Sequence, residues 1–176
     1  MALELENELN PAPFLIENIG LLPAGRALDV AMGNGRNSVY LAKAGFAVDG
    51  VDISAEAVHA AQKAAIRAGV KINAETADLE SGYHIKSGAY DLIICFNYLQ
   101  RSLIPEIKRG SRPGGMVMYE TFTIDQLQFG RPHNPEYLLK YNELVEMFQD
   151  FRILRYREGI FEGPKAIASV IAQKNL

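Results

Sequence analysis

Several residue types that stabilise small secreted proteins or anchor membrane proteins are scarce in this sequence of 176 residues. It has one cysteine, Cys95, which excludes an internal disulfide and a cysteine-based zinc set. No apolar run approaches the roughly 20 residues that a membrane-spanning helix requires. The first ten residues contain glutamates but no lysine or arginine, whereas a secretory signal begins with basic residues. These absences predict a cytoplasmic protein that does not bind membranes.

The sequence also has no excess of basic charge and only three histidines. The formal net charge is -3, so we expect no binding to nucleic acid, which relies on basic surfaces that neutralise phosphates. The three histidines are scattered and no D-x-D cluster is present, so no metal site is predicted. The hydrophobic content of 48% suits one globular domain with an ordinary core. We therefore expect residues 1–176 to form a single domain.

Short apolar runs alternate with helical patterns along the chain. We predict strands at residues 26–32, 47–51, 71–76, 90–99, 116–122, 151–158 and 166–173. We predict helices at residues 13–21, 37–44, 54–69, 102–108 and 135–147. The helix at 54–69 has the clearest signals, with Ser54 as N-cap, Glu56 in the first turn and Gly69 at the C-terminal end.

This alternation of strands and helices predicts the fold. It favours parallel pairing, right-handed crossovers and a sheet covered on both faces. The segment "REGIFEGPKA" between the last two strands is too short for a crossover helix, so one of these strands must be antiparallel. We therefore expect an α/β, doubly wound, Rossmann-like sheet of about seven strands with helices on both faces. Its ligand should bind beyond the C-terminal ends of the central strands.

Two segments flank this predicted core. Residues 1–25 form an N-terminal cap segment, which would pack over a cofactor or over the sheet edge. Residues 122–136 form a loop long enough to act as a lid over the strand ends. The aromatic residues of this loop and the segment "VIAQK", predicted at a sheet edge, would support a homodimer.

The stretch "ALDVAMGNGRNSVYLAKAGFAVDGVDIS", residues 27–54, contains a glycine-rich turn between a strand and a helix. Gly33 and Gly35 would let a ligand approach the main chain. Asp52 follows Gly33 by 19 residues and is placed to accept hydrogen bonds from both hydroxyls of a ribose. A dinucleotide fingerprint has a third small residue three positions after its second glycine. Ser38 stands at that position here, which is tolerable but off the pattern. The pattern indicates an adenosyl ligand without naming it.

Asp29 separates the alternatives for this ligand. A carboxylate at this position would repel the pyrophosphate of a nicotinamide dinucleotide, so a nicotinamide-dependent oxidoreductase is disfavoured. S-adenosylmethionine carries a sulfonium and an ammonium group, both of which a carboxylate attracts. A simpler interpretation is that Asp29 caps the glycine turn by accepting hydrogen bonds from its amides. A non-enzymatic module that binds S-adenosylmethionine also remains an alternative.

Four motifs occur in the order typical of one enzyme family. "DVAMGNGRNSVYLAKAGFAVDGVDIS", "TADLES", "YDLIICFNYL" and "RPGGMVMYETF" together resemble the motifs of class I S-adenosylmethionine-dependent methyltransferases. The run "GNGRNSVYLA" is similar to the tellurite-resistance branch of that family. The resemblance implies transfer of a methyl group from S-adenosylmethionine, with S-adenosylhomocysteine as product and no metal.

The resemblance also implies roles for individual residues. Asp29 and the glycine turn would hold the methionyl end, Asp52 the ribose, and Ile53 one face of the adenine. Asp78 would accept a hydrogen bond from the adenine amino group. The full set of implied cofactor-binding residues is Asp29, Ala31, Met32, Gly33, Gly35, Arg36, Asn37, Asp52, Ile53, Asp78, Leu79, Phe96 and Asn97.

The chain departs from the family pattern at two places. Ala31 stands where the family usually has glycine, which would cost backbone freedom. The tellurite-resistance branch carries a histidine and an arginine in the hairpin between the last two strands, whereas this chain has "EGPKA" with Lys165 as its cation. Binding of the cofactor is therefore better supported than tellurite as a substrate.

Methyl transfer is an in-line displacement, so the protein mainly aligns the reacting groups and excludes water. We expect a small-molecule acceptor, and a thiolate or a chalcogen oxyanion would need no strong general base. The candidate catalytic residues, with substrate-orienting roles, are Tyr98, Arg101, Glu120 and His133. The lid loop also offers Gln126, Phe129, Arg131 and Tyr137 to enclose a small anion. Arg101 pairing with Glu106 at the surface is an alternative.

Overall fold

The computed structural model describes residues 10–176. Within this range, seven strands form one sheet in the order β3-β2-β1-β4-β5-β7-β6. The strands are β1 (Arg26–Val30), β2 (Ala47–Asp52), β3 (Asn73–Thr76), β4 (Tyr90–Phe96), β5 (Ser111–Phe122), β6 (Arg152–Phe161) and β7 (Lys165–Gln173). β1 to β5 pair in parallel, and β7 is antiparallel to both of its neighbours. The predicted doubly wound sheet with one reversed strand is confirmed.

The helices of the described chain connect the strands and lie on both faces of the sheet. They are α1 (Pro13–Asn18), α2 (Arg36–Lys43), α3 (Ala55–Arg67), α4 (Ile104–Gly110) and α5 (Glu143–Met147). In α3, the Oγ of Ser54 accepts a hydrogen bond from the Ala57 amide at 3.2 Å, as an N-cap does. Gly69 follows the helix with φ +69°, so the predicted start and end signals are confirmed.

The core lies on the two sides of the central strands. Alternate residues of β4 point to opposite faces, so Ile93 joins one apolar cluster and Ile94 the other. The first cluster includes Ile107 of α4, and the second includes Leu41 of α2. The strand order reverses between β1 and β4, and such a reversal opens a crevice at the C-terminal strand ends.

The predicted helix at residues 135–147 is wrong. The Oδ1 of Asn134 does accept a hydrogen bond from Glu136, but only a single 3-10 turn, Pro135–Tyr137, follows. Leu139 is extended and fully buried, and it exchanges backbone hydrogen bonds with Phe122 and Ile124 at 2.9 Å. This pairing with the end of β5 prevents a continuous helix, and α5 begins only at Glu143.

The prediction that "VIAQK" lies at a sheet edge is also wrong. It belongs to β7, which is hydrogen-bonded to β5 on one side and to β6 on the other. Val170, Ile171 and Ala172 are fully buried as a result. The edge strand on this side is β6, so this segment offers no surface for a homodimer. No helix in residues 10–176 is long and apolar enough to cross a membrane.

Candidate active site

Three adjoining cavities lie beyond the C-terminal ends of β1, β2 and β4. The turn cavity, about 330 Å³, lies along the glycine turn, and the side cavity, about 240 Å³, lies between Asp52 and Asp78. The lid cavity, about 540 Å³, lies against the lid loop. Tyr98 lines all three, Asn97 lines the turn and lid cavities, and Ala31 lines the turn and side cavities. The cavities therefore form one continuous cleft where the sheet topology predicts a ligand.

Asp29 lies near the C-terminal end of β1 and lines the turn cavity with 1% of its surface exposed. Its Oδ2 accepts a hydrogen bond from the Oγ of Ser38 at 2.6 Å. Burial raises the pKa of Asp29 to about 7, although the hydrogen bond from Ser38 and the charge of Arg36 oppose this shift. A cation bound in the turn cavity would favour the ionised form of this carboxylate.

The glycine turn owes its shape to three left-handed residues, Ala31 (φ 54°), Gly33 (φ 56°) and Gly35 (φ 77°). A Cβ on Gly35 would lie 2.5 Å from the Cβ of Ala61, so this glycine is needed for packing of α2 against α3. A Cβ on Gly33 would meet no atom within 4 Å, so the main chain there borders open space. The predicted cost of alanine at position 31 is visible in its positive φ.

Asp52 connects the glycine turn to the end of β2. Its Oδ2 accepts a hydrogen bond from the Gly33 amide at 2.8 Å, and its Oδ1 accepts one from the Ser54 amide at 2.9 Å. These bonds fix the carboxylate in the cleft and leave further acceptor capacity on both oxygens. The turn amide therefore goes to Asp52, and the alternative that Asp29 caps the glycine turn is wrong.

The side cavity has a polar and an apolar border. Ile53 is 66% exposed, which is unusual for isoleucine and leaves an apolar surface for a planar ring. The carboxylate of Asp78 accepts hydrogen bonds from the Ser81 hydroxyl at 2.5 Å and from the Glu80 amide at 2.9 Å. The bond from Ser81, more than that from Glu80, lowers the pKa of Asp78 and keeps it ionised. Leu79 is buried beside it.

The end of β4 brings Phe96, Asn97 and Tyr98 to the centre of the cleft. Asn97 has φ 57°, and its amide donates to the Glu120 carbonyl at 2.9 Å. The Tyr98 hydroxyl donates to Gln100 Oε1 at 2.6 Å. Burial raises the pKa of Tyr98 to about 12, so this side chain is a hydrogen-bond donor and not a base at neutral pH.

Arg101 lies outside the three cavities and holds the segment that follows the lid loop. Its guanidinium binds both oxygens of Glu143, at 2.6 and 3.0 Å. It also donates to the carbonyls of Glu136 at 2.8 Å and Leu138 at 3.0 Å. The alternative pairing with Glu106 is wrong, because Glu106 pairs with Arg109 and His84.

Glu120 and His133 are not among the residues that line the cleft. Glu120 is 3% exposed, and its carboxylate accepts a hydrogen bond from Ser169 at 2.5 Å and pairs with Arg157 at 3.3 Å. Its neighbour Thr121 lines the lid cavity, because successive strand residues point to opposite faces. His133 is exposed on the lid loop. Of the four candidate catalytic residues, Tyr98 is the one that the structure places in the cleft.

Residues of the lid loop, and Tyr137 directly after it, do line the cleft. Arg131, Pro132 and Tyr137 border the lid cavity. Gln126 is instead buried, where it donates to the Arg131 carbonyl at 3.2 Å and accepts from the Ala166 amide at 2.9 Å. The lid cavity also uses residues to which the sequence assigned no role: Glu80, Leu99, Phe122 and Pro132.

The N-terminal cap segment is described from residue 10 onward, and residues 1–9 lie outside the described part. The Ala12 amide donates to Asn37 Oδ1 at 2.8 Å, and Arg36 donates to the Asn10 carbonyl at 3.2 Å. Both Arg36 and Asn37 line the turn cavity. The segment is therefore attached to the helix that borders the site.

Residues 10–176 contain no group of three histidine, cysteine or acidic side chains that could hold a metal ion.

Comparisons with known proteins extend these observations. Residues 27–115 match the methyltransferase domain family. A ubiquinone biosynthesis O-methyltransferase from Cronobacter sakazakii is 31% identical over 113 residues, which is 61% of this chain and 46% of that protein. The chain thus spans about half the length of the curated relatives that it matches.

Solved structures share the fold at lower identity. TehB from Haemophilus influenzae has a TM-score of 0.80 and 21% identity, over 93% of this chain and 62% of that one. An S-adenosylmethionine-dependent methyltransferase from Mesorhizobium loti has a TM-score of 0.75 and 17% identity, over 94% of this chain and 100% of that one. The sheet order, the cleft and the match over residues 27–115 agree, and the chain belongs to the methyltransferase domain family with the class I fold.

Proposed function

We propose that this protein transfers a methyl group from S-adenosylmethionine to a small-molecule acceptor. The observation that carries the proposal is the buried carboxylate of Asp29, which faces the turn cavity and, among the described residues, has a single hydrogen-bonding residue, Ser38. A buried carboxylate is unfavourable unless a ligand or partner compensates it. The ammonium group at the methionyl end of S-adenosylmethionine would supply that compensation.

The remaining cleft residues fit the rest of the cofactor. Gly33 leaves the main chain open to a close approach. Asp52 retains acceptor capacity for the ribose hydroxyls, since each carboxylate oxygen can accept two hydrogen bonds. Exposed Ile53 offers an apolar surface for the adenine, and ionised Asp78 offers an acceptor for its amino group. The carboxylates of Asp52 and Asp78 are thus already oriented by backbone or side-chain donors.

The chain's own residues would mainly orient the reactants. The bound cofactor supplies a methyl group on a positively charged sulfur. Asn97 and Tyr98, which border both the turn and lid cavities, would hold the acceptor in line with that methyl. A lone pair of the acceptor would displace the cofactor sulfur from that methyl carbon, and the sulfur would keep the electron pair of the broken carbon–sulfur bond. The lid loop would exclude water from this step.

The acceptor atom belongs to the proposal as well. The Cronobacter sakazakii relative named above is an O-methyltransferase, but a hydroxyl acceptor would need a base. Tyr98 cannot serve at neutral pH, and Glu80 is the one carboxylate among the described residues lining the lid cavity. We therefore favour an acceptor that ionises by itself, such as a thiol. For a chalcogen oxyanion the support is weaker, because Lys165 does not line the cleft. A cytoplasmic location, where thiols stay reduced, is consistent with this chemistry.

Binding of S-adenosylhomocysteine, measured by calorimetry, tests the proposal first. We expect micromolar affinity, no heat with reduced nicotinamide dinucleotide, and a large loss of affinity in Asp29→Ala. Asp150→Asn, an exposed acid paired with Lys108 away from the cleft, is the control and should bind normally. Binding of the nicotinamide in place of S-adenosylhomocysteine would overturn the proposal. Binding without methyl loss against a broad panel of thiols would favour the non-enzymatic module.

A further inference from the structure

The lid cavity is large and mostly apolar. At about 540 Å³ it lies within the range of small-molecule sites. Its aromatic walls are Tyr98, Phe122 and Tyr137, and Leu99 and Pro132 add aliphatic surface. Tyr137 is 51% exposed, so part of this aromatic surface remains available to a ligand. A ring-shaped ligand would cover these walls, whereas an oxyanion of a few atoms would leave them in contact with water.

The cavity also has one basic side chain. Arg131 is the single cation among the described residues that line it, and its guanidinium has no hydrogen bond or ion pair within residues 10–176. The backbone at this position is held, because Gln126 donates to the Arg131 carbonyl and is itself anchored to β7. Arginine binds carboxylates through two parallel hydrogen bonds. An exposed arginine whose backbone is anchored, and whose guanidinium has no partner among residues 10–176, therefore suits an acidic group on the ligand.

A third feature relates the cavity to the reaction. Asn97 and Tyr98 form the boundary between the lid and turn cavities, so an acceptor in the lid cavity meets the methyl group there. Glu80 lines the lid and side cavities and is the other charged residue of the lid cavity. The anionic group of a ligand would be drawn toward Arg131 and away from Glu80. The charges thus give the ligand one preferred orientation.

We propose that the lid cavity binds a small aromatic acid as the methyl acceptor, with its ring against Tyr98, Phe122 and Tyr137 and its carboxylate on Arg131. This inference rests on the proposed methyl transfer and names the acceptor class for the same site. The nucleophile is a thiol on the ring, which loses its proton to solvent before it binds. The thiolate sulfur then bonds to the methyl carbon, and the bond from that carbon to the sulfonium sulfur breaks with its electron pair passing to the cofactor sulfur. The products are a methyl thioether that keeps its carboxylate, and S-adenosylhomocysteine.

Turnover of matched thiols tests the role of Arg131. We compare 4-mercaptobenzoate with 4-methylbenzenethiol, which has the same ring without the acid, and with selenite. The wild type should prefer the acid at least tenfold in kcat/KM and should use selenite poorly. Arg131→Gln should remove the preference by raising KM for the acid about tenfold, with a much smaller effect on kcat/KM for the neutral thiol. Arg155→Gln, an exposed arginine on β6, is the control and should keep the preference.

The phenol 4-hydroxybenzoate distinguishes the acceptor atom, and faster turnover of this compound than of 4-mercaptobenzoate would overturn the thiol assignment. Equal use of the acidic and neutral thiols by the wild type, or an unchanged preference in Arg131→Gln, would overturn the acid site.

Calorimetry separates this inference from the proposed function. Failure of S-adenosylhomocysteine to bind contradicts the function itself, whatever the acceptor. If it binds but no thiol is methylated, we titrate the product analogue 4-(methylthio)benzoate into the complex. The acid site is supported if the analogue binds the wild type and binds Arg131→Gln about tenfold more weakly. The variant's melting temperature and its affinity for S-adenosylhomocysteine should stay at wild-type values. Absence of binding, or equal binding by both proteins, overturns it.

Discussion

The turn cavity and the lid cavity adjoin, yet they are built in different ways. The turn cavity takes its polar groups from the ends of β1 and β2 and from α2, and hydrogen bonds within the site fix them, such as that from Gly33 to Asp52 at 2.8 Å. The lid cavity is assembled from residues between Glu80 and Tyr137 that come from four separate segments. Its loop is held from outside the cavity by Gln126 and Arg101.

This difference explains which part of the site is common to the family and which part is specific to the acceptor of this protein. A cofactor common to a family requires the same groups at the same strand ends, and short strand-to-helix turns supply them. An acceptor is recognised by loops, which vary without disturbing the sheet. Changes in the turn cavity should therefore affect cofactor binding, and changes around the lid should affect the acceptor.

The largest effect is expected from Asp29→Asn. The substitution removes the charge and keeps the shape, so affinity for S-adenosylhomocysteine should fall roughly 100-fold, in the range expected for loss of one partner from a buried charge pair. KM for the acceptor should change little. Calorimetry and steady-state kinetics measure the two quantities. Normal affinity in Asp29→Asn would show that the methionyl end binds elsewhere.

The same variant should be more stable than the wild type at high pH. Burial raises the folded pKa of Asp29 to about 7, so the folded state binds more protons than the unfolded state between about pH 4 and pH 7. The wild type should therefore lose about 2 to 4 kcal/mol as pH rises through this interval, and Asp29→Asn should not. Denaturant unfolding at pH 5 and pH 8 compares them, and equal pH dependence would contradict a buried carboxylate.

A smaller effect, on the other cavity, is expected from Arg101→Gln. It breaks the pair with Glu143 and the bonds to two carbonyls that hold the segment after the lid. We expect kcat/KM for the acceptor to fall about tenfold, as misplacement of a positioning loop does. Affinity for S-adenosylhomocysteine should stay within twofold. Arg109→Gln, which breaks the exposed pair with Glu106, is the matched control.

The stability contributed by the ion pair of Arg101 and Glu143 should also depend on pH. Partial burial opposes ionisation of Glu143, but the hydrogen bond from Arg101 and the Lys140 amide together lower the pKa of this carboxyl. Stability from the pair is then present above the ordinary pKa of 4.5 and is lost as pH falls through the lowered value. Wild type and Glu143→Gln should therefore converge in stability under acid conditions.

Glu120→Gln should change stability and leave both cavities intact. Its carboxylate is buried against Ser169 and Arg157, and loss of its charge should destabilise the fold by about 2 kcal/mol. Kinetic constants for cofactor and acceptor should remain within twofold of the wild type. A loss of kcat at unchanged stability would restore the catalytic role that the sequence suggested for this residue.

The smallest effect is expected from Ala31→Gly. Alanine at φ 54° is strained relative to glycine, so the substitution should stabilise the protein by about 0.5 to 1 kcal/mol. Affinity for S-adenosylhomocysteine should be unchanged or slightly higher, since the turn keeps its shape. Thermal unfolding measures this gain, and a lower melting temperature would show that the methyl group of Ala31 contributes packing.

The parts predicted from sequence were those determined locally. Asp29, Asp52 and the glycine turn follow from spacing within one strand, turn and strand unit, and Asp29, Gly33 and Asp52 line one cavity in the structure. The capping of α3 by Ser54 is likewise local. The function of Gly35 was only partly visible, because its close contact with Ala61 depends on how α2 and α3 pack.

The parts that failed depend on distant partners. Leu138 and Leu139 lie in a segment with a helical pattern, but pairing of Leu139 with Phe122 and Ile124 draws it into an extended conformation. The buried carboxylate of Glu120 was attributed to the site because its partner, Arg157, lies 37 residues further along the chain. The pairing of Arg101 with Glu106 is wrong for the same reason, since its actual partner Glu143 lies 42 residues away. No local pattern carries such information.

The most direct test of the account is the number of protons released when S-adenosylhomocysteine binds. Calorimetric titrations in two buffers of different ionisation enthalpy give this number at each pH. If the ammonium group binds beside the Asp29 carboxylate, close to one proton should leave at pH 6, where Asp29 is mostly protonated, and almost none at pH 8. Tight binding with no proton release at pH 6 would contradict the central role of Asp29.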